Sequence, residues 1–598
     1  MNLLFRARGI EMMRIAGITV CLSVMVASHT SAQVRSRVTR PQAQPLISPN
    51  ATSPDCAGQS FQTVCREGGS DLYGALSADE VSNLVRAPFA VLDDPRMTAA
   101  VVDRTGRVLA LLRNPQADPA NDAVAIGLAR TAAFFSHDMA PLSSRTVRFI
   151  SGVHFPPGVK RAPPAALYGI ENTNRGCDFN VTFNPGKCIP RATAINGMPC
   201  NASDQSGCGT GPVTGKPDAF DLHADPREHP DPVGLQSVIN PNGLPVNPGG
   251  IPVFRVASSV IEGSFDDGTG RFIVQGPSHL VGGIGVAGVP PDHAEFAAFA
   301  AAALGSPGLF PAPEFPLPPP GRVFIDGIRL PFVEQGIRPE GTRGGTLPTN
   351  FIVQPRAGRC APNRYLVGPT GSDTLSQAEV DSIVRKSFAA AQSVRGNIRL
   401  PLGSYARMVI AVSDLQGNIL ALYRMPDATI FSIDVAVAKA RNVVFFSGGS
   451  TEASRDLPGL PPGTAVTNRT LGFGGQPLFP AGLDFTDRGP FFDLFLRDLA
   501  NVCSQGSQPT NFNQNGIVFF PGSLPLYRNG QLVGGLGISG DGVEQDDFVS
   551  RIGGGDFAPP AEIRADQILL DNTRLPFLKD PRAPQVVTEG TLDPFDEP

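Results

Sequence analysis

The feature that most constrains this chain is that it resembles itself. Leu76-Ser77-Ala78-Asp79-Glu80-Val81 recurs as Leu375-Ser376-Gln377-Ala378-Glu379-Val380. Val101-Val102-Asp103-Arg104-Thr105-Gly106 recurs as Val412-Ser413-Asp414-Leu415-Gln416-Gly417. Ala129-Arg130 and Phe134-Phe135-Ser136 return as Ala440-Arg441 and Phe445-Phe446-Ser447 at an unchanged separation. Further on, Pro248-Gly249-Gly250-Ile251-Pro252-Val253 is matched by Pro521-Gly522-Ser523-Leu524-Pro525-Leu526, and Leu280 to Val286 by Leu532 to Ile538. Even the tails agree, Arg329-Leu330-Pro331-Phe332 with Arg574-Leu575-Pro576-Phe577. Self-similarity on this scale, in 598 residues, predicts two domains of one architecture.

The local signals within each repeat agree with one another. Ser77 and Ser376 stand before apolar periodic stretches, with a carboxylate three residues on, so each should cap a helix. Asp and Gly then mark a tight turn between two apolar runs, Asp103 to Gly106 and Asp414 to Gly417, and the two Asp side chains are expected to bond their own turn backbones. Asn529-Gly530 marks a hairpin. Each repeat therefore reads helix, strand, turn, strand, helix, long connection, strand, hairpin, strand, helix, tail. Strands joined by short turns are antiparallel. The expected fold class is α+β: two copies of an antiparallel β-sheet flanked by helices. The expected domains are a first module over residues 71–340, with a Cys-rich insertion at about 158–247, a linker over 341–372, and a second module with its tail over 373–598.

Before the first module come residues 1–32, which have the form of a secretory signal, and a segment over 33–70. Arg6, Arg8 and Arg14 precede an apolar run from Ile15 to Ala27, and Thr30-Ser31-Ala32 supplies small residues at a cleavage point. The expected location is periplasmic or secreted. Eight cysteines then remain: Cys56, Cys65, Cys177, Cys188, Cys200, Cys208, Cys360 and Cys503. An even number in an exported chain reads as disulfides, and no Cys-x-x-Cys pair points to zinc. With 49 Lys and Arg against 54 Asp and Glu and no basic run, the chain lacks the electrostatic footprint of a nucleic-acid or membrane-surface binder.

Several of these motifs resemble the GlcG/HbpS haem-degrading family. In the second repeat, Asp414 with Gly417, then Arg424-Met425-Pro426-Asp427-Ala428, is similar to that family's Asp-turn-Gly and Arg-Met-Asp-Gly-Ala elements, with Pro426 as a departure. Lys439-Ala440-Arg441 matches its Lys-Ala-Arg helix, Val533 to Gly540 its glycine-rich strand, and Asp546-Asp547 its trailing acidic helix. The first repeat keeps Asp103, Gly106, Arg113, Ala129-Arg130 and Gly282 to Gly288, but has Leu128 where the Lys would stand. The resemblance implies a profilin-like sheet flanked by helices, a tendency to oligomerise or for the two modules to pack together, and in some members a flat tetrapyrrole ligand such as haem. Fold transfers more safely than ligand.

Candidate haem contacts follow from side-chain chemistry. Arg113 and Arg424 end strands beside loops, where a guanidinium holds either a propionate carboxylate or a surface ion-pair partner. Arg130 and Arg441 lie on the next helix and serve the same role or face solvent. All seven histidines lie at or before His293, so the second repeat must use another ligand such as Met425 or Tyr423. His137 and His154 are the candidate axial ligands of the first repeat. His223 and His229, beside Asp225 and Glu228, could hold a divalent metal. The pairs Asp546-Asp547 and Asp266-Asp267 read as solvated charges. Gly283 to Gly288 and Gly535 to Gly540 fit G-x-G-x-x-G, but on a hairpin strand they point to a close approach of another backbone or of a flat ligand rather than to a dinucleotide. No nucleophile constellation is present. The function expected is an exported, non-catalytic haem or tetrapyrrole carrier or sensor. The alternatives are an enzyme of haem breakdown or small redox chemistry, and an envelope interaction module without ligand.

Overall fold

The computed structural model describes residues 75–175, 177, 243–256, 265–266, 272–273, 278–312, 323–358, 361, 364–400, 402–501 and 503–586. The proposed signal, the segment 33–70, His223, His229 and all cysteines except Cys177 and Cys503 lie outside the described residues.

In chain order the N-terminal half comprises α1 (Ala78–Val91), β1 (Thr98–Asp103), β2 (Val108–Arg113), α2 (Ala120–Phe135), α3 (Ser144–Phe149), β3 (Gly250–Val256), β4 (Ser278–Ala287), α4 (Pro291–Leu304) and β5 (Leu309–Phe310). Two short strands follow, β6 (Phe351–Val353) and β7 (Arg364–Val367). The C-terminal half continues with α5 (Gln377–Gln392), β8 (Met408–Ser413), β9 (Ile419–Arg424), α6 (Phe431–Ser447), α7 (Thr451–Asp456), α8 (Asn468–Gly474), α9 (Phe492–Ala500), β10 (Ser523–Arg528), β11 (Gln531–Gly540) and α10 (Val543–Gly553).

The strands form two antiparallel sheets, of order β6-β2-β1-β4-β3-β5 and β7-β9-β8-β11-β10. The fold is thus α+β, antiparallel sheets flanked by helices. The registers run in step: Val102 faces Gly283 as Ser413 faces Gly535. Irregularities fall at Val101/Val102 and Val412/Ser413, and again at Val253/Phe254 and Leu526/Tyr527. The segment 341–372, expected as a linker, supplies the edge strand of both sheets: β6 lies on β2 and β7 on β9.

Local chemistry explains the elements. Ser77 and Ser376 close capping boxes with Glu80 and Glu379, each carboxylate accepting the Ser backbone N–H at 2.8 Å. Asp103 Oδ1 accepts the amides of Thr105 and Arg107, and Asp414 Oδ1 those of Gln416 and Asn418, so both aspartates build their own turns. The glycine-rich strands are where a helix lies almost on the sheet. A Cβ on Gly285 would stand 2.1 Å from the Ala125 carbonyl of α2, and one on Gly537 2.0 Å from the Ala436 carbonyl of α6. Of the two close approaches left open by the sequence, the partner here is a helix backbone.

On the opposite face of each sheet lie the outer helices, α1 with α4 and α5 with α10. The N-terminal outer layer has its own apolar core, including Leu84, Val101, Ile284 and Ala297. The inner face of the N-terminal sheet instead shares one continuous core with the whole C-terminal half. Every residue of α6 is buried, as expected of the central helix in such a stack.

Candidate functional site

The two halves meet along α2 and the loop leaving β9. Phe135 stacks on Phe431 with ring centroids 4.1 Å apart, and Ile430 donates its backbone N–H to Phe134 O at 3.0 Å. Beside this apolar contact sits a partly buried charge cluster whose hub is Asp427, held at a positive φ of 60°. Its Oδ1 accepts from Arg104 at 2.6 Å and from the Asp138 backbone N–H at 2.9 Å. Its Oδ2 accepts from Arg399 at 2.7 Å. Arg399 in turn donates to Asp541 at 2.5 Å, while Asp138 accepts from Arg104 at 3.2 Å and lies 2.8 Å from His279 Nδ1. Arg104, His137, Asp138 and His279 come from one half and Arg399, Arg424, Asp427 and Asp541 from the other.

His137 is fully buried in this cluster. Its Nε2 donates to Ile398 O at 2.8 Å, and its Nδ1 accepts the Met139 N–H at 3.2 Å. Those partners fix the neutral tautomer. Burial, followed by the Arg399 charge, depresses its pKa to about 4 despite Asp427 Oδ2 at 3.7 Å. Burial would raise Asp427, but Arg399 and Arg104 outweigh it and hold that carboxyl well below its ordinary range. Arg424 is brought down to about 9, by burial first and then by Arg104. Arg424 donates to Ala428 O across its own loop, and Met425 Sδ accepts the Met408 N–H at 3.3 Å.

Of the seven residues singled out from the sequence, His137, Arg424 and Met425 therefore converge on the junction, and the other four do not. Arg113 pairs with Asp122 at 3.0 Å, at the end of β2. Arg130 and Arg441 were expected to meet a ligand or solvent; instead each donates through Nε to the turn glycine, Gly106 O at 3.0 Å and Gly417 O at 2.9 Å. His154 lies between Ala162 O and Asp484 Oδ1, both at 2.8 Å. Tyr423 is buried, its ring edge-to-face with Phe388.

Asp546 and Asp547, expected in solvent, are buried at the start of α10 because that helix packs on α5 and on β10 and β11, where the Lys439 and Arg469 side chains reach them. Lys439 Nζ reaches Asp546 Oδ2 at 3.0 Å, and Asp547 pairs with Arg469 and accepts the Gly522 N–H at 2.9 Å. Burial raises Asp546 to about 7 and lowers Lys439, so desolvation drives both toward their neutral forms. The hub residue Asp427 was quoted only as part of a family motif. Arg104 was quoted only as part of the repeated Asp-turn-Gly segment and Arg399 in no motif, and only the fold brings them to Asp427.

A second layer of contacts ties the long connection of the N-terminal half to the C-terminal half. Arg175 pairs with Asp498 at 2.8 Å, with both side chains essentially excluded from solvent, and Asn174 N–H donates to Asp434 Oδ2 at 2.7 Å. Tyr168 stacks on Phe495 and a disulfide joins Cys177 to Cys503.

Comparison with known proteins gives the following. Residues 389–553 match the model of the HbpS-like family of haem-degrading proteins. An uncharacterized 15.0 kDa protein in the dhaT-dhaS intergenic region of Citrobacter freundii is 28% identical over 144 residues, 24% of this chain and 71% of that protein. A solved PduOC:heme complex is 24% identical with a TM-score of 0.20, covering 30% of this chain and 94% of that one. The Klebsiella pneumoniae protein ORFY is 20% identical with a TM-score of 0.19, covering 30% and 86%.

Proposed function

We propose that this is an exported haem-binding protein that does not turn its ligand over, built by duplication of one HbpS-like module, with the tetrapyrrole taken by the C-terminal half. The match of residues 389–553 to a haem-degrading family carries the reading. The parallel strand order and register of the two halves support the duplication.

The chain's own residues limit how haem would be held. An axial ligand needs a lone pair facing iron. His137 uses both ring nitrogens within the fold, and the Met425 thioether accepts a backbone amide. As arranged, the junction does not fit haem iron, and no ligation step is assigned to it. A cleft of about 240 Å³, lined by Leu524, Phe577 and Leu578 together with Arg551, Arg564 and Asp580, is smaller than the roughly 300–1,000 Å³ of sites that enclose a drug-sized ligand.

Titration of the mature chain with haemin tests the reading. A saturable Soret shift is expected, retained in His137→Gln and Met425→Leu variants that remain folded. Absence of a shift at micromolar haemin would remove the proposal. Bleaching of the bound Soret band on adding a reductant, with release of a linear product, would replace a carrier by an enzyme of haem breakdown.

A further inference from the structure

We propose that the loop after α9, together with the β8–β9 turn, forms a binding site for a neutral, polyhydroxylated ligand of the saccharide class, separate from any tetrapyrrole site. A pocket of about 470 Å³ opens there, lined by Gln416, Asn418, Gln508, Asn511, Phe512 and Asn513. The lining is five carboxamides and one benzyl group, with no charge. Asn513 uses both amide hydrogens on Gln416 O and Asn418 Oδ1, and Gln508 Oε1 already accepts twice, so the groups left for a ligand are the Gln416 carboxamide and the remaining N–H groups of Asn418, Asn511 and Gln508, which adjacent hydroxyls complement. Phe512 is 61% exposed. An aromatic ring left in water beside amides has the amphipathic form of a sugar platform, because one face of a pyranose is clad in C–H groups. The volume lies within the range of small-molecule sites.

The pocket walls are built before any ligand arrives. Asn513 Nδ2 donates to Gln416 O at 2.9 Å and to Asn418 Oδ1 at 3.0 Å, which fastens the loop to the turn. Behind them, Arg441 donates to Asn513 Oδ1 at 3.3 Å and to Asn515 Oδ1 at 3.1 Å. An amide relay runs inward: Gln514 and Gln505 both donate to Gln508 Oε1, at 2.8 and 3.0 Å, and Asn442 donates to Gln505 Oε1 at 2.6 Å. Asp456 accepts the Ser507 N–H at 2.6 Å, and the disulfide at Cys503 pins the start of the loop. A loop so fastened loses little freedom on binding: Asn511 Oδ1 accepts the Asn513 N–H at 2.7 Å and holds the tip, and Phe512 lies exposed beside it. The aromatic that would gain most from burial is thus held in water by a rigid frame.

Saturation-transfer NMR on the intact mature chain, with a panel of neutral hexoses, N-acetylhexosamines and their β-linked disaccharides, tests this. At least one member should bind, with transfer strongest to its ring C–H protons. Phe512→Ala should weaken that binding by about tenfold or more, from the loss of one stacking contact. Gln416→Ala should weaken it too, both variants keeping the wild-type melting temperature. No transfer to any panel member at 10 mM-scale concentration (about a hundredfold above a typical module's needs) would overturn the proposal. So would binding that Phe512→Ala and Gln416→Ala leave unchanged. Haemin, titrated in parallel, should bind the Phe512→Ala variant as it binds wild type.

Discussion

At the junction, a single imidazole connects side-chain placement to pH. His137 is held neutral, with its pKa lowered from 6.5 to about 4 by burial and Arg399. The unfolded chain therefore takes up a proton between those values that the folded chain refuses. The contribution is complete above pH 6.5 and is lost as pH falls toward 4, amounting to about 3 kcal/mol at most. Urea titrations of wild type and His137→Gln should diverge over that window, with the wild type losing more stability on acidification; parallel curves would disprove it. Glu171 has the opposite sign. Burial raises it from 4.5 to about 7, only partly offset by bonds that include Ser151. The folded state then keeps a proton that the unfolded state gives up, so stability is lost as pH rises from about 4.5 to 7. Glu171→Gln should accordingly gain up to about 3 kcal/mol over wild type at pH 8 relative to pH 4, read from the same titrations.

Among the elements, the glycine-rich strands carry a severe steric demand. Gly535 leaves 2.2 Å between an added Cβ and Ala440 O, a backbone atom of α6 that cannot rotate away. Gly535→Ala must displace the helix or the strand and should cost about 1–3 kcal/mol, seen as a lowered melting temperature. Gly555, whose added Cβ meets nothing within 4 Å, is the control, and Gly555→Ala should be near neutral. These elements were also the most readable part of the sequence. The capping Ser-x-x-Glu, the Asp-turn-Gly and the hairpin Asn-Gly are each set by a few neighbouring residues, so a linear string records them. What α6 packs against was open, because a glycine tells only that something comes close, not what. Charges were misread for a related reason. Asp546, Asp547 and Arg441 look solvated on a helix considered alone, and they become buried only when a second element, unmarked in sequence, closes over them.

For the whole molecule, the unsolved part of the sequence reading was the relation between the halves. Arg104 meets Asp427, and Arg175 meets Asp498, each across more than three hundred residues. No local pattern announces such pairs. Asp427→Ala takes one of two carboxylates from each of Arg104 and Arg399, which keep Asp138 and Asp541, so it should destabilise the chain by about 1–3 kcal/mol and speed hydrogen exchange on both faces of the junction. Exchange confined to the C-terminal half would contradict a shared core.

The double service of residues 351–367 has a practical outcome for anyone who wishes to dissect the protein. A cut at residue 340 leaves β2 bare, and one at residue 372 leaves β9 bare, in each case exposing a row of unpaired amides and carbonyls that invites self-association. Between Gly358, whose N–H still bonds Leu76 O, and Arg364 a nick spares both ladders. Fragments trimmed at the tidy repeat boundaries would precipitate for want of a border, while a chain nicked at that one seam would keep each border and stay clasped as a pair.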